Sequence, residues 1–190
     1  AFRQVAAAFA EARLEIAGPW YEPELRREAE EFLRVHSLQS KVTFHGEVAG
    51  GKKWELLAGA SVFVYPPQGP EGQPVVLLEA MRMGLPIVTT DQGSIRETVR
   101  EGENGMFVPP GSPGRLASAI GLLLRHPELR QRLGQRSQDL FFQNYTADRF
   151  ADRLGQLFEL HLNGRAPAQP VPVRAMTTPA NGNEEKRKAC

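Results

Sequence analysis

Two glutamates, Glu71 and Glu79, stand eight positions apart in a segment that begins rich in glycine and proline, PQGPEGQPVVLLEAMRMG. Glycines in such a segment let backbone N–H groups come close to a ligand. The helix predicted to follow adds partial positive charge at its N-terminus, which favours a phosphate group. The segment therefore predicts a loop that could hold the diphosphate of a nucleotide.

Glu79 lies among the apolar residues of VVLLEAM, whereas Glu71 lies in the loop before them. An unpaired carboxylate is costly to bury, so Glu79 needs hydrogen-bond donors such as backbone N–H groups or ribose hydroxyls. Glu71 is expected to face the group that follows the phosphates. The residues alone leave a structural alternative open, with Glu71 a solvated loop charge and Glu79 the ion-pair partner of a nearby arginine.

Five short, mostly apolar runs, each ended by glycine, proline or polar residues, are typical of strands. They are LEIAG (14–18), KVTFHG (41–46), SVFVYP (61–66), PIVTT (86–90) and GMFVP (105–109). Helical patterns occur at about 22–36, 52–58, 74–83, 95–100, 113–125, 128–142 and 147–162. This alternation predicts an α/β fold with a doubly wound parallel sheet, whose ligands bind beyond the carboxyl ends of the strands.

Three local features refine this prediction. Ser94 and Glu97 have the spacing of a capping box at a helix start. Gly46 ends the second strand and is expected to let a nucleotide base approach the backbone. Its neighbour His45 is either a pocket residue or a strand-end histidine hydrogen-bonded to its surroundings. Asn104 and Gly105 are expected to form a turn.

The two ends of the chain differ from its body. From Asn163 the composition shifts to proline, alanine, threonine, asparagine and charge, which predicts a domain over residues 1–162 and a disordered tail over 163–190. At the other end Phe2, Val5, Ala6 and Phe9 recur at helical spacing from the start. We therefore expect the domain to be incomplete at its N-terminus.

Composition excludes several classes of protein. Cys190 is the single cysteine and the histidines lack metal-ligand spacing, so no metal site is expected. The last 28 residues carry five basic and two acidic side chains, which leaves the body a net charge of −2 and argues against nucleic acid as a partner. No apolar run approaches the ~20 residues that cross a bilayer, so a cytoplasmic protein is expected. The arginines of residues 125–136 suggest a solvated helix surface or, alternatively, peripheral contact with the inner face of a membrane.

The stretch EGQPVVLLEAMRMGLPIVTTDQGSIRETVREGENGMFVPPG resembles the signature of family four retaining glycosyltransferases, a GT-B fold group. The hallmark of that family is two glutamates separated by seven residues, the spacing of Glu71 and Glu79. The resemblance extends through LEIAG, KVTFHGEV, ELLAGASVFVYP and the helical ending up to about Leu162. It implies the Rossmann-like C-terminal half of a GT-B enzyme, which binds a nucleotide sugar.

The resemblance also assigns roles to residues. Glu71 resembles the glutamate that contacts the donor sugar and is the catalytic candidate. Gly72, Gln73 and Pro74 resemble the turn whose backbone holds sugar and phosphate, and Glu79 resembles the glutamate that binds ribose hydroxyls. The implied reaction transfers a sugar from a nucleoside diphosphate to an acceptor with retention, without a bound metal or other cofactor.

The chain departs from the family pattern in several places. Pro67 stands where a serine is usual, and Gln73 replaces a common aromatic residue. The family places an arginine and a lysine for the diphosphate near a strand upstream of this chain, and a separate N-terminal domain binds the acceptor. The chain alone is therefore expected to be inactive. The alternative function is a nucleotide-binding or interaction module without catalysis. A flavodoxin-like or receiver domain fits less well, because the acidic cluster at a first strand end is missing.

Overall fold

The computed structural model describes residues 1–162, which contain the five predicted strands and the seven predicted helices within a few residues of their expected bounds. The strands are β1 (Leu14–Ala17), β2 (Val42–Gly46), β3 (Phe63–Tyr65), β4 (Ile87–Thr90) and β5 (Gly105–Val108). The helices are α1 (Phe2–Ala8), α2 (Pro23–Val35), α3 (Gly50–Gly59), α4 (Val75–Arg82), α5 (Ile95–Thr98), α6 (Pro113–Arg125), α7 (Pro127–Asn144) and α8 (Ala147–Leu162). A short 3-10 turn covers Gln39–Lys41. The tail predicted for 163–190 lies outside the described residues.

The chain divides into two compact units, residues 1–149 and residues 150–190. Of the second unit, the structure describes 150–162, which continue helix α8. All five strands, the loop before α4 and both candidate glutamates belong to the first unit.

Every strand pair is parallel, as the βαβ pattern predicts. Strand β1 pairs with β2, and a register shift after Ile16 sets Ala17 opposite Gly46. Strands β3, β4 and β5 form a second ladder in that order. The sequence predicted one sheet, whereas the described strands form two ladders, so every described strand except β4 has a strand neighbour on one side only. Hydrophobic patterns locate strands but do not say which of them become neighbours.

Strand β4 is the centre of the second ladder and is buried on both faces. Successive side chains of a strand point to opposite faces, and here both faces meet helices. Ile87 belongs to a cluster with Leu77 and Met81 of α4, whereas Val88 belongs to another with Leu123 of α6. All of these side chains are fully buried. Helices on both faces of a parallel sheet make the doubly wound fold.

Helix α7 approaches the end of α4 closely, at two glycines. A Cβ atom on Gly134 would overlap the carbonyl oxygen of Gly84, which follows α4 with a φ of +70°. Gln138 also donates from Nε2 to the carbonyl oxygen of Arg82 over 3.2 Å. These contacts fix the C-terminal end of α4 and with it the helix that carries Glu79.

Within residues 1–162, none of the helices is both long enough and apolar enough to span a bilayer.

Candidate functional site

The loop of residues 66–74, which leads from β3 to α4, begins at the carboxyl end of β3, beside the central strand β4. Thr89 donates from Oγ1 to the carbonyl oxygen of Tyr65 over 2.6 Å, and Thr90 donates from Oγ1 to that of Pro67 over 2.5 Å. Both threonines are fully buried. These bonds attach the start of the loop to β4, at the edge where ligands of parallel sheets bind.

A second attachment holds the middle of the loop against the turn that precedes α5. The backbone N–H of Ser94 donates to the carbonyl oxygen of Glu71 over 3.0 Å. Gly93 has a φ of +62°, and a Cβ atom there would overlap that same carbonyl and lie 2.6 Å from the Glu71 nitrogen. Gln73 donates from Nε2 to Oγ1 of Thr98 over 3.3 Å. The loop is therefore packed backbone to backbone on the β4–α5 turn.

The predicted capping box at the start of α5 is wrong. Ser94 is the residue before the helix, but its side chain makes no cap hydrogen bond. Its hydroxyl instead lies 3.5 Å from the carbonyl oxygen of Glu71. The Ser94 hydroxyl therefore donates to the loop carbonyl and does not accept from the N–H groups of α5, because the loop packs directly on this turn.

The carboxylate of Glu71 has a partner that the sequence did not indicate. Tyr65, the last residue of β3, donates its hydroxyl to Oε1 of Glu71 over 3.0 Å. Burial raises the pKa of the Tyr65 hydroxyl above its ordinary value, and the bond to Glu71 raises it further. The Glu71 side chain is half-buried and is oriented by a hydrogen bond from Tyr65 at the end of β3. It is therefore not the freely solvated loop charge of the structural alternative.

Glu79 forms an ion pair, but its partner is a lysine and not the arginine of the structural alternative. Nζ of Lys53, on α3, lies 2.5 Å from Oε1 of Glu79. The Glu79 side chain is 17% exposed and that of Lys53 30% exposed, so the pair lies at the boundary of core and solvent. The partner is 26 positions away in sequence, on a helix that no local pattern links to Glu79.

The remaining predicted donor residues lie in the same loop. Gly72 and Gln73 are exposed, and Pro74 directly precedes α4 with a φ of −65°. Its carbonyl oxygen accepts from the N–H of Leu77 over 3.0 Å. Glu71, Gly72, Gln73 and Pro74 therefore form one continuous surface segment that ends at the N-terminus of α4.

Gly46 and His45 end strand β2. Gly46 has a φ of +65°, which favours glycine, and its carbonyl oxygen accepts from Gly18 over 2.7 Å. Nε2 of His45 lies 2.5 Å from Oε2 of Glu15 on β1. His45 thus matches the strand-end alternative, in which its hydrogen bond is made within the sheet. Gly46 stays a prediction as the residue that meets the base.

The arginines of residues 125–136 are not simply a solvated surface, because several contact the molecule itself. Arg130 donates to the carbonyl oxygens of Leu123 and Leu124, at the end of α6, over 2.9 and 3.2 Å. Arg136 donates to Glu103 over 2.9 Å, and the Arg125 guanidinium lies 5.6 Å from the ring centroid of Phe9. Contacts with other elements such as these cannot be inferred from the spacing of the arginines in the sequence.

Asn104 is more than a turn residue. Its side chain is fully buried, accepts from the N–H of Arg100 over 2.7 Å and donates to the carbonyl oxygen of Thr98 over 3.3 Å. Its own carbonyl oxygen accepts from the hydroxyl of Ser137 on α7 over 3.2 Å. The predicted turn is present, and Asn104 joins it to α7.

An open depression of about 440 Å³ lies elsewhere, between Ser61 and Pro86 at the amino ends of β3 and β4. It is on the side of the ladder opposite the Glu71 loop, so it is a surface distinct from the predicted donor site. In the described part of the chain, no three histidine, cysteine or acidic side chains are grouped as metal ligands.

Comparisons with known proteins agree with this architecture. The sequence model of the family Glycosyl transferases group 1 matches residues 1–140. A phosphatidyl-myo-inositol mannosyltransferase of Mycobacterium leprae is 36% identical over 124 residues, which are 65% of this chain and 32% of that protein. An alpha-D-kanosaminyltransferase of Streptomyces kanamyceticus is 26% identical over 133 residues, 70% of this chain and 34% of that protein. The chain thus spans about a third of the curated relatives it matches.

Solved structures share the fold. Anabaena Alr3699/HepE, crystallised in complex with UDP, superposes with a TM-score of 0.74 at 20% identity, over 83% of this chain and 44% of that one. The match to the family sequence model covers most of the chain and includes β1 to β5, the loop with Glu71, and Glu79 on α4. This chain therefore belongs to the group 1 glycosyltransferase family.

Proposed function

We propose that this chain is the donor-binding domain of a retaining glycosyltransferase, which transfers a sugar from a nucleoside diphosphate sugar to an acceptor. The observation that carries the proposal is a pair of glutamates whose carboxylates are each oriented by a different hydrogen-bond donor. Glu71 lies in a loop attached to β4 and is oriented by Tyr65, and Glu79 lies on α4 and is oriented by Lys53 of α3. Such a site offers two acceptor-only groups beside a helix N-terminus.

In this proposal each part of the site meets one part of the donor. The turn of Gly72, Gln73 and Pro74 holds sugar and phosphate, with the backbone N–H groups of Gly72 and Gln73 and the N-terminus of α4 as the donors to phosphate. Glu79 accepts from the ribose hydroxyls, and Glu71 accepts from a hydroxyl of the reacting sugar. Gly46 lies by the base. Preorganised N–H groups aimed at the departing diphosphate stabilise the charge that develops there.

Two sources support a nucleotide sugar as the ligand. The family match covers both glutamates, and the Anabaena protein that shares the fold was crystallised with UDP and with UDP-glucose. The proposal includes retention, independence from metal and other cofactors, and an acceptor domain outside this chain, without which the chain does not catalyse transfer. A cytoplasmic location and contact with the inner membrane face are part of the same proposal.

Substitution of the two glutamates tests these roles in the full-length protein that contains this chain. We expect Glu79→Ala to weaken nucleotide binding mainly and Glu71→Ala to lower turnover mainly. Loss of a hydrogen bond to a charged acceptor costs on the order of 1.5 to 3 kcal/mol, or roughly ten- to more than a hundredfold in affinity. Calorimetric titration with UDP, GDP and ADP, beside steady-state rates with the corresponding donors, measures both effects.

Glu128→Ala is the matched control, because Glu128 is an exposed glutamate in the first turn of α7. It should leave affinity and turnover as in the wild type. If Glu79→Ala bound nucleotide as tightly as the control, the ribose role would be wrong. Nucleotide binding without any sugar transfer or donor hydrolysis by the wild type would favour the non-catalytic module.

A further inference from the structure

The ion pair of Lys53 and Glu79 joins helix α3 to helix α4, and these helices follow strands of different ladders. Helix α3, which carries Lys53, follows β2 and the predicted base-binding Gly46. Helix α4, which carries Glu79, follows β3 and the Glu71 loop. The bond over 2.5 Å is a direct side-chain link between these two walls of the proposed donor site.

Lys53 is held in place by its surroundings. Its Nζ atom lies 5.1 Å from the ring centroid of Trp54, and the guanidinium of Arg82 lies 5.2 Å from the same ring. Trp54 packs against the core cluster that contains Leu77 and Met81 of α4. The position of the ammonium group is therefore set by the packing of α3 on α4.

The geometry leaves acceptor capacity on Glu79. A carboxylate has two oxygens with about four lone-pair sites in total, and an ammonium group is a donor only. Lys53 occupies Oε1, and the hydrogen bonds described within residues 1–162 place no donor on Oε2. A carboxylate that is held at one oxygen and open at the other can accept hydrogen bonds from the vicinal hydroxyls of a ribose. Its rotamer is already fixed, so binding does not have to order the side chain.

We propose that Lys53 is a positioning residue for nucleotide binding, which acts through Glu79 by fixing its carboxylate for the two ribose hydroxyls. The proposal rests on the proposed function, in which Glu79 binds ribose. It assigns Lys53 no contact with the phosphates. The effect of Lys53 on affinity should therefore depend on the presence of the ribose hydroxyls and on the presence of Glu79.

The test uses the full-length protein and pairs of ligands, UDP, GDP and ADP, each with its 2′,3′-dideoxy analogue. For the nucleotide that binds, we expect Lys53→Met to lower affinity about tenfold, the size of one charge-assisted hydrogen bond. The affinity for the dideoxy analogue should stay within about twofold of wild type. In steady state, KM for the donor should rise while kcat changes little.

Lys52→Met is the matched control. Lys52 precedes Lys53 on α3, is 57% exposed and pairs at 3.9 Å with Glu55 of the same helix. Its removal changes the net charge equally but leaves Glu79 untouched, so affinity should not change. Lys53→Arg should recover most of the affinity because it keeps a charged donor, and Lys53→Gln should be intermediate. Thermal unfolding of each variant separates loss of binding from loss of folding.

A double-mutant cycle completes the test. In a Glu79→Ala background, Lys53→Met should cause no further loss. Equal weakening for the nucleotide and its dideoxy analogue, or a full further loss without Glu79, would overturn the proposal in favour of direct phosphate binding. Unchanged or tighter binding by Lys53→Met would also overturn it. If the wild type bound nucleotide and dideoxy analogue equally, the ribose role of Glu79 would fail first, and this inference would fail with it.

Discussion

The position of the Glu71 loop (residues 66–74) depends on one residue that has no side chain. Gly93 lies so close to Glu71 that a Cβ atom would overlap the Glu71 backbone, and its φ of +62° is unfavourable for other residues. We expect Gly93→Ala to lower the free energy of unfolding by about 2 to 5 kcal/mol, from left-handed strain together with overpacking. Nucleotide affinity should fall as well, because the loop must move off the turn. Urea unfolding and calorimetric titration measure the two effects.

Gly102→Ala separates strain from contact. Gly102 has a φ of +71°, similar to that of Gly93, but a Cβ atom there would meet nothing within 4 Å. This variant should lose about 1 to 2 kcal/mol of stability from the backbone conformation alone and keep wild-type affinity. If Gly93→Ala lost no more stability than Gly102→Ala, the inference that the Glu71 loop packs closely on Gly93 would be wrong.

Single residues also mark the limit of what the sequence shows about the site. The spacing of Glu71 and Glu79, and the resemblance built on it, placed both on the loop and helix where the structure has them. Their partners Tyr65 and Lys53 were not predicted, because a tyrosine ending a strand and a lysine in a helix are ordinary residues. Only the packing of β3 and α3 brings them into contact with Glu71 and Glu79.

At the scale of elements, Glu103 links the turn before β5 to helix α7. It accepts from Arg136 over 2.9 Å and from Arg100 over 3.2 Å. The hydrogen bond to Arg136, then that to Arg100, lowers the pKa of Glu103 below its ordinary value of 4.5. A lowered pKa in the folded state means that the carboxylate stabilises the fold above the ordinary value and loses this effect as the pH falls through the lower one.

We therefore expect the stability difference between wild type and Glu103→Gln to depend on pH. Wild type should be the more stable at pH 7, and the difference should close as the pH falls below about 4.5. The effect should be modest and should shrink in high salt, since the Glu103 side chain is 38% exposed. Thermal unfolding of both proteins across this range measures it. A gap of equal size at pH 7 and pH 3 would contradict the assignment.

Elements were predicted better than the contacts between them. Strands and helices follow from local periodicity and turn residues, so their order and approximate bounds were confirmed. The capping box failed because Ser94 meets the carbonyl of Glu71, which is 23 positions away. Asn104 was predicted as a turn residue, and its bond with Ser137 of α7 depends on tertiary packing. Pairing of distant groups is set by packing, which a single sequence does not display.

At the scale of the whole molecule, the central strand organises both structure and site. Strand β4 contributes Ile87 and Val88 to the cores on its two faces, and Thr89 and Thr90 donate hydrogen bonds that hold the start of the Glu71 loop. The hydrophobic cores and the proposed donor site thus share one strand. Family membership covers this whole arrangement, since the family match runs from α1 to within α7.

The one-sided pairing of β1, β2, β3 and β5 has a consequence for handling this chain. A strand with one neighbour leaves a row of N–H and C=O groups that can pair with another chain, which is a route to aggregation. We expect the 190-residue chain to associate as its concentration rises, measured by sedimentation velocity. Ala17→Lys, an exposed position on β1, should reduce association, whereas Ala7→Lys, exposed on α1, should not. Equal sedimentation of all three proteins at every concentration would show that these edges are protected.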